Sequence, residues 1–193
     1  MDVAVIKYNA GNIGSVLNAL DRIGVKGEVT SDPQRIQKAP RVIFPGVGEA
    51  GSTMQHLRNS GLDRIIRELT SPVLGICLGM QLLCREMEEG RTLGLEVFDA
   101  PVTRFRGDVK IPHMGWNSIE FEAEGLFNGI NSGSYVYFVH SYYVPVTVGM
   151  IASCQYGLKF TAAVRLNNFY ATQFHPEKSG LVGEQILKNF MDL

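Results

Sequence analysis

Cysteine is scarce in this sequence: 193 residues include only Cys77, Cys84 and Cys154, and no two form a C-x-x-C pair. So odd and sparse a set excludes a disulfide framework and a zinc ribbon, and it suits a reducing compartment. Long apolar runs are missing too, so no stretch reads as a membrane span. The opening MDVAVIKYNAGN has neither the charged n-region nor the apolar h-region of a secretory signal, which makes the cytoplasm the expected location. Charge is modest, at 19% of residues with a formal net value of −1 and no run of Lys or Arg. Nucleic acid and anionic membrane are therefore not expected partners. Nothing reads as a repeat, a linker or a low-complexity tract.

What remains is an ordinary globular composition, 45% apolar, at a length that fits one domain over 1–193. Short apolar runs alternate with amphipathic stretches in the first half. VAVIKY, KGEVT, RVIFP and SPVLGIC read as strands. Helices are expected from Gly11-Asn12 to Ile23, from Asp32-Pro33 onward, over 52–58 and 61–69, and through LGMQLLCREMEE. Such alternation predicts an α/β fold in three layers, a mostly parallel central sheet flanked by helices. In the second half VTRF, VYFVHSYYVPV, MIASCQY, TAAVRL and FYATQFH add strands joined by turns, with antiparallel or mixed pairing. A closing helix spans SGLVGEQILKNFMDL.

Two glycine patterns compete for the chemistry. Gly46, Gly48 and Gly51 spell G-x-G-x-x-G, the spacing of a dinucleotide loop. That fingerprint belongs in the first βα turn, with an acid closing the next strand. Here it follows the third strand, and the next strand ends at Cys77, so the nucleotide reading fails on context. The second pattern, Gly75-Ile76-Cys77-Leu78-Gly79, is a cysteine version of the G-x-S-x-G nucleophile elbow. A tight strand-to-helix turn strains the central residue and leaves room only for small residues two positions either side. The helix N-terminus behind it favours the thiolate, the form that attacks. Cys84, placed inside the following helix, and Cys154, in a strand, read as packing residues.

A thiol nucleophile needs a base, and the base an orienting group. Of the four histidines, His56 falls on a polar helical stretch, whereas His175 stands in Gln173-Phe174-His175-Pro176-Glu177-Lys178. The proline pushes His175 to an extended conformation at a strand end. Glu177, two residues on, is then expected on the same side as the imidazole. Cys77, His175 and Glu177 make a nucleophile, base and orienter.

With G-x-C-x-G-x-Q and a distant H-P-E, the chain resembles the class I (triad) glutamine amidotransferases over nearly its whole length. Further stretches carry the likeness: Tyr8-Asn9-Ala10-Gly11-Asn12, Pro45-Gly46-Val47-Gly48, His113-Met114-Gly115-Trp116-Asn117, Phe138-Val139-His140-Ser141-Tyr142 and Lys178-Ser179. They are similar to the branch that supplies ammonia to a (β/α)8-barrel cyclase in histidine biosynthesis. Lys7, Asn9 and Cys84 depart from that pattern, where an acid, a glycine and a larger apolar residue are usual.

The resemblance implies L-glutamine as substrate and no metal or other cofactor. Gly46, Gln81, Glu89 and the backbone near Ser141 and Tyr142 would hold the substrate. Backbone N–H groups of Leu78 and of Val47 or Gly48 are expected to stabilise the oxyanion. Nothing in the sequence reads as a P-loop or a phosphate cradle, so ammonia is expected to pass to a second protein, as a heterodimer. Tyr137, Trp116, Asn117 and Lys178 are the candidates for docking, Trp116 standing in a turn-like segment that packing alone also explains. Three other readings share parts of this set: a glutaminase serving a different acceptor enzyme, a stand-alone cysteine peptidase or deglycase, and a silent binding subunit.

Overall fold

Val3–Ile6 is uninterrupted apolar sequence, the pattern of a strand covered on both faces, and it forms β1 with every residue buried. A computed structural model of the chain describes residues 1–8, 12–122 and 124–193. Asn9, Ala10 and Gly11, which include the expected start of the first helix, lie outside the described residues. That helix, α1, runs Ile13–Arg22. The first half continues with β2 (Gly27–Thr30), α2 (Pro33–Lys38), β3 (Val42–Phe44), α3 (Ala50–Ser60), α4 (Leu62–Arg67), β4 (Val73–Ile76) and α5 (Leu78–Leu83). Asp32 caps α2, its carboxylate accepting from the amides of Gln34 and Arg35, as its place before Pro33 predicts.

The second half is strand-rich: β5 (Cys84–Met87), β6 (Thr92–Leu93), β7 (Phe98–Arg104), β8 (His113–Phe121), β9 (Tyr135–His140), β10 (Tyr142–Pro145), β11 (Met150–Tyr156), β12 (Leu158–Leu166) and β13 (Phe169–Thr172), closed by α6 (Gly180–Met191). Sheet order is β2-β1-β3-β4-β13-β12-β10-β7-β5-β6, with β11 pairing β12 and β8, and β9 pairing β8. The central block β2-β1-β3-β4-β13 is parallel throughout. Antiparallel pairs enter at β12 and beyond.

Successive residues of the central strands divide between two cores, which produces the three layers. Ala4, Ile6, Phe44 and Val73 pack with residues of α2, α3, α4 and α5. Val3, Val5, Ile43 and Leu74 pack with α1 and α6 on the other face. Burying each of the larger of these side chains stabilises the fold by about 1.5–3 kcal/mol, so period-2 alternation holds this sheet between its helices.

Several expectations need correction. The helix after Cys77 does not run through LGMQLLCREMEE; it stops at Leu83, and Cys84 begins a strand. The carbonyls of Leu82, Leu83 and Cys84 accept from the amides of Leu95, Val97 and Glu96, and β5 pairs with β7. Tertiary pairing here overrides a locally helical pattern. Nor is Trp116 in a turn: it lies in β8, directly opposite Tyr137 of β9. The run VYFVHSYYVPV is cut at Ser141, because β9 pairs β8 while β10 pairs β7 and β12.

Candidate active site

Cys77 stands between β4 and α5, at the carboxyl edge of the sheet. Its backbone has φ 53° and ψ −106°, a region that L-residues avoid and that costs roughly 1–3 kcal/mol. The neighbours explain why the elbow demands glycine. A Cβ at Gly79 would meet the Phe44 carbonyl oxygen at 2.0 Å, and one at Gly46 would meet the Gly79 amide nitrogen at 2.5 Å. The glycine loop after β3 is therefore in backbone contact with the elbow, β3 and β4 being neighbours. One hydrogen bond spans this contact, and a second ties the loop to the segment after β1. The Leu78 amide donates to the Gly46 carbonyl at 3.4 Å, and the Tyr8 hydroxyl donates to the Pro45 carbonyl. Val47 is half-buried, and Gly48 is exposed with φ +134°.

His175 lies three residues past β13, and Pro176–Lys178 form one turn of 3-10 helix. That turn, rather than an extended alternation, brings Glu177 round to the ring. His175 Nδ1 and Glu177 Oε1 are 2.8 Å apart, both side chains almost wholly buried. Burial alone would lower the imidazole. The adjacent Cys77 sulfur, and after it the Glu177 carboxylate, outweigh burial and hold His175 well above its ordinary value. With Nδ1 bonded to the acid, Nε2 is left for chemistry; it is buried and bonded to nothing else in the protein among the described residues.

Three partners of this constellation were not singled out by sequence. Asn12 Nδ2 donates to Glu177 Oε1 at 3.3 Å, and its own Oδ1 is fixed by Ser15 Oγ at 2.6 Å. Ser179 Oγ donates to the His175 carbonyl and accepts from the Tyr137 amide. Gln173, wholly buried, places Nε2 3.7 Å from Cys77 Sγ. All three lie within or next to motifs already noted, but their partners are up to 165 residues away.

The other expected residues separate into groups. Gln81 is buried and donates to the Tyr142 carbonyl and to Gln173 Oε1, both at 3.0 Å. Val139 makes the end of β9 a wall beside the thiol, its carbonyl 3.8 Å from Cys77 Sγ, and Ser141 and Tyr142 follow it where β9 gives way to β10. Glu89 accepts from the Ala50 amide at 3.0 Å, at the end of the glycine loop rather than among these amides. Trp116 and Tyr137 meet edge to face with centroids 6.1 Å apart, and Lys178 Nζ lies 5.9 Å from the Tyr137 ring centroid. Trp116 is 55% exposed, which removes core packing as its explanation. Asn117, one residue along the strand, bonds instead to His113 and to the Gln155 carbonyl. Cys84 and Cys154 are buried, and burial pushes both thiols up to about 12, beyond use as nucleophiles at neutral pH.

Comparison with known proteins agrees with this picture. The family model of the class-I glutamine amidotransferases matches residues 4–193. An imidazole glycerol phosphate synthase subunit HisH of Bacteroides fragilis strain YCH46 is 57% identical over 100% of both chains. The subunit of that name from Escherichia coli K12 is 45% identical, again over 100% of both. Among solved structures, a glutamine amidotransferase superposes with a TM-score of 0.77 at 22% identity, covering 100% of this chain and 98% of that one. Another, from Thermotoga maritima, gives 0.66 at 16% identity, covering 98% and 82%. At those identities the structures speak for the fold alone. The chain belongs to the class-I glutamine amidotransferases and, within them, to the family of imidazole glycerol phosphate synthase subunits HisH.

Proposed function

We propose that this chain is the glutaminase subunit of imidazole glycerol phosphate synthase and acts through Cys77, His175 and Glu177. The observation that carries the reading is the strained Cys77 backbone beside a buried imidazole whose Nδ1 is bonded to Glu177. Cys77 Sγ attacks the side-chain amide carbon of glutamine. His175 Nε2–H gives its proton to the departing nitrogen, so ammonia leaves and a γ-glutamyl thioester remains. His175, now neutral, takes a proton from water; the hydroxide adds to the thioester, and glutamate leaves as the thiolate is regenerated. Glu177 holds the ring's tautomer and stabilises the imidazolium.

The oxyanion falls to the Leu78 amide and to an amide of the loop, at Val47 or Gly48. Each such donor contributes about 3–4 kcal/mol to the transition state. Because the Leu78 amide already bonds the Gly46 carbonyl, the loop peptide has to turn before that donor is available. The φ of Gly48 and its open surroundings give the loop room to do so. Gly46, Gln81, Glu89, Ser141 and Tyr142 hold the substrate in this scheme. Ammonia passes to a (β/α)8-barrel cyclase docked over Trp116, Tyr137, Asn117 and Lys178. The cyclase uses it to convert a phosphoribulosyl-aminoimidazole carboxamide intermediate into imidazole glycerol phosphate and aminoimidazole carboxamide ribotide. The free thiols fit a cytoplasmic site of action.

The test is glutamate release from glutamine by the purified chain, alone and with a cyclase subunit plus its nucleotide substrate, with Cys77→Ser as the blank. Low release alone that rises strongly with cyclase and ligand supports the reading. No release in either condition from a folded chain overturns it.

A further inference from the structure

His113 and His140 take no part in the triad, yet they stand directly opposite each other on β8 and β9, within the wall beside Cys77. They are 3% and 6% exposed. His113 is stacked between Tyr156 and Phe138, at centroid distances of 3.9 and 4.7 Å, while Phe105 and Phe160 meet His140. Two imidazoles in so apolar a box are tolerable only if each ring nitrogen is bonded.

Every nitrogen is bonded, and the direction of each bond follows from the backbone. The Tyr142 carbonyl can only accept, so His140 Nδ1, 2.7 Å away, carries the hydrogen. His140 Nε2 is then the acceptor, and His113 Nδ1 at 2.9 Å must donate to it. His113 Nε2 accepts in turn from Asn117 Nδ2 at 3.3 Å. The Asn117 amide cannot be reversed, because Nδ2 also donates to the Gln155 carbonyl while Oδ1 accepts from the Ser118 amide. The relay ends where Gln81 Nε2 makes the second bond to the same Tyr142 carbonyl, and Gln81 leads through Gln173 to Cys77 Sγ.

We propose that His113 and His140 are positioning residues for the glutamine seat, acting as an ordered N–H relay that fixes the Tyr142 carbonyl and, through it, Gln81. Both lone pairs of that carbonyl are used, one by each donor, so its direction is set from two sides. The relay touches neither Glu177 nor the Cys77 sulfur, so it governs how substrate is held rather than how the amide is broken. Burial supports the neutral state that the relay needs, pushing His113 down to about 4 and His140 to about 3. The inference rests on the glutaminase reading for its catalytic consequence, but not for the relay itself.

Two measurements test it. In the reconstituted synthase, His140→Leu should raise the KM for glutamine by about tenfold with kcat changed less than about threefold, the signature of lost ground-state holding. His140→Asn, which puts a nitrogen donor in the place of Nδ1, should bring KM back to within about threefold of the wild type. An unchanged KM in the folded leucine variant overturns the proposal. So does an asparagine variant as poor as leucine, since that is what a purely structural role gives.

The second measurement needs no activity. Ring 15N–1H correlation spectra of the wild-type chain at neutral pH should show both histidines neutral with the hydrogen on Nδ1. An Nε2–H tautomer or an imidazolium at either position refutes the relay whatever the glutaminase assay reports. If the wild-type complex releases no glutamate while these spectra hold, the functional reading fails and the relay stands as a structural finding.

Discussion

Adding a single methyl group at Gly79 tests the contact between the elbow and the glycine loop. A Cβ there would sit 2.0 Å from the Phe44 carbonyl oxygen, and real Cβ contacts essentially never fall below 3.0 Å. The two backbones must therefore part by at least the difference, 3.0 − 2.0 = 1.0 Å. Neither neighbour is a side-chain tip that can swing aside, because Phe44 closes β3 and Gly79 lies in the first turn of α5. The displacement separates Leu78 from Gly46 and shifts the Cys77 sulfur relative to His175. A misplacement of about 1 Å at reacting groups costs on the order of 100-fold in rate, and overpacking against backbone about 1–3 kcal/mol in stability. Gly79→Ala should thus lower glutaminase kcat/KM in the complex about 100-fold. For a chain of this size the thermal midpoint should fall by roughly 2–4 °C per kcal/mol. Glutamate release with a coupled dehydrogenase, alongside calorimetry, reads both. A variant within twofold of wild type in rate and unchanged in midpoint would refute the close approach on which the elbow argument depends.

Three further outcomes follow from the same geometry. Glu177→Gln keeps the shape but removes a charge that helps hold His175 up, so kcat should fall by about 100-fold or more with KM nearly unchanged, by steady-state kinetics. Gly48→Pro forces φ from +134° to about −65° on an exposed loop; glutamate release should fall at least about tenfold while the unfolding midpoint moves little, and full turnover would exclude a turning loop. For His113 and His140 the folded values lie below the ordinary 6.5, so as pH falls the unfolded chain takes protons that the folded chain refuses. Stability should therefore drop from pH 6.5 toward about 4, with His140→Asn shallower by up to ~1.4 kcal/mol per pH unit; urea midpoints across that window decide it, and equal slopes count against the buried neutral pair.

How far the sequence was legible depended on whether a residue's partners lie nearby in the chain. β1, β3 and β4 were visible because strands buried on both faces read as unbroken apolar runs. The elbow was visible because its constraint is local: a strained residue flanked by glycines. His175 and Glu177 were found for the same reason, although a 3-10 turn rather than extended chain joins them. Leu83 and Cys84 were misread because their backbone bonds go to Leu95, Val97 and Glu96, on a segment no helical pattern can anticipate. Gln173 and Asn12 sit in visible motifs, yet what they do depends on atoms 96 and 165 residues away. Trp116 was misplaced because Gly115 suggested a turn, whereas its φ of +130° is accommodated inside a paired strand.

The bond from the Leu78 amide to the Gly46 carbonyl bears on the cell's nitrogen economy. A single neutral hydrogen bond of this kind has a net worth of about 0.5–1.5 kcal/mol, a bias of at most about tenfold. On the proposed reading, that makes the loop a weak brake rather than a lock. An idle subunit would hydrolyse glutamine up to about tenfold more slowly on this account, and a docked partner would need only one or two well-placed contacts to release the brake. Synthesis of the acceptor product and consumption of glutamine would then stay in step without a separate regulatory domain.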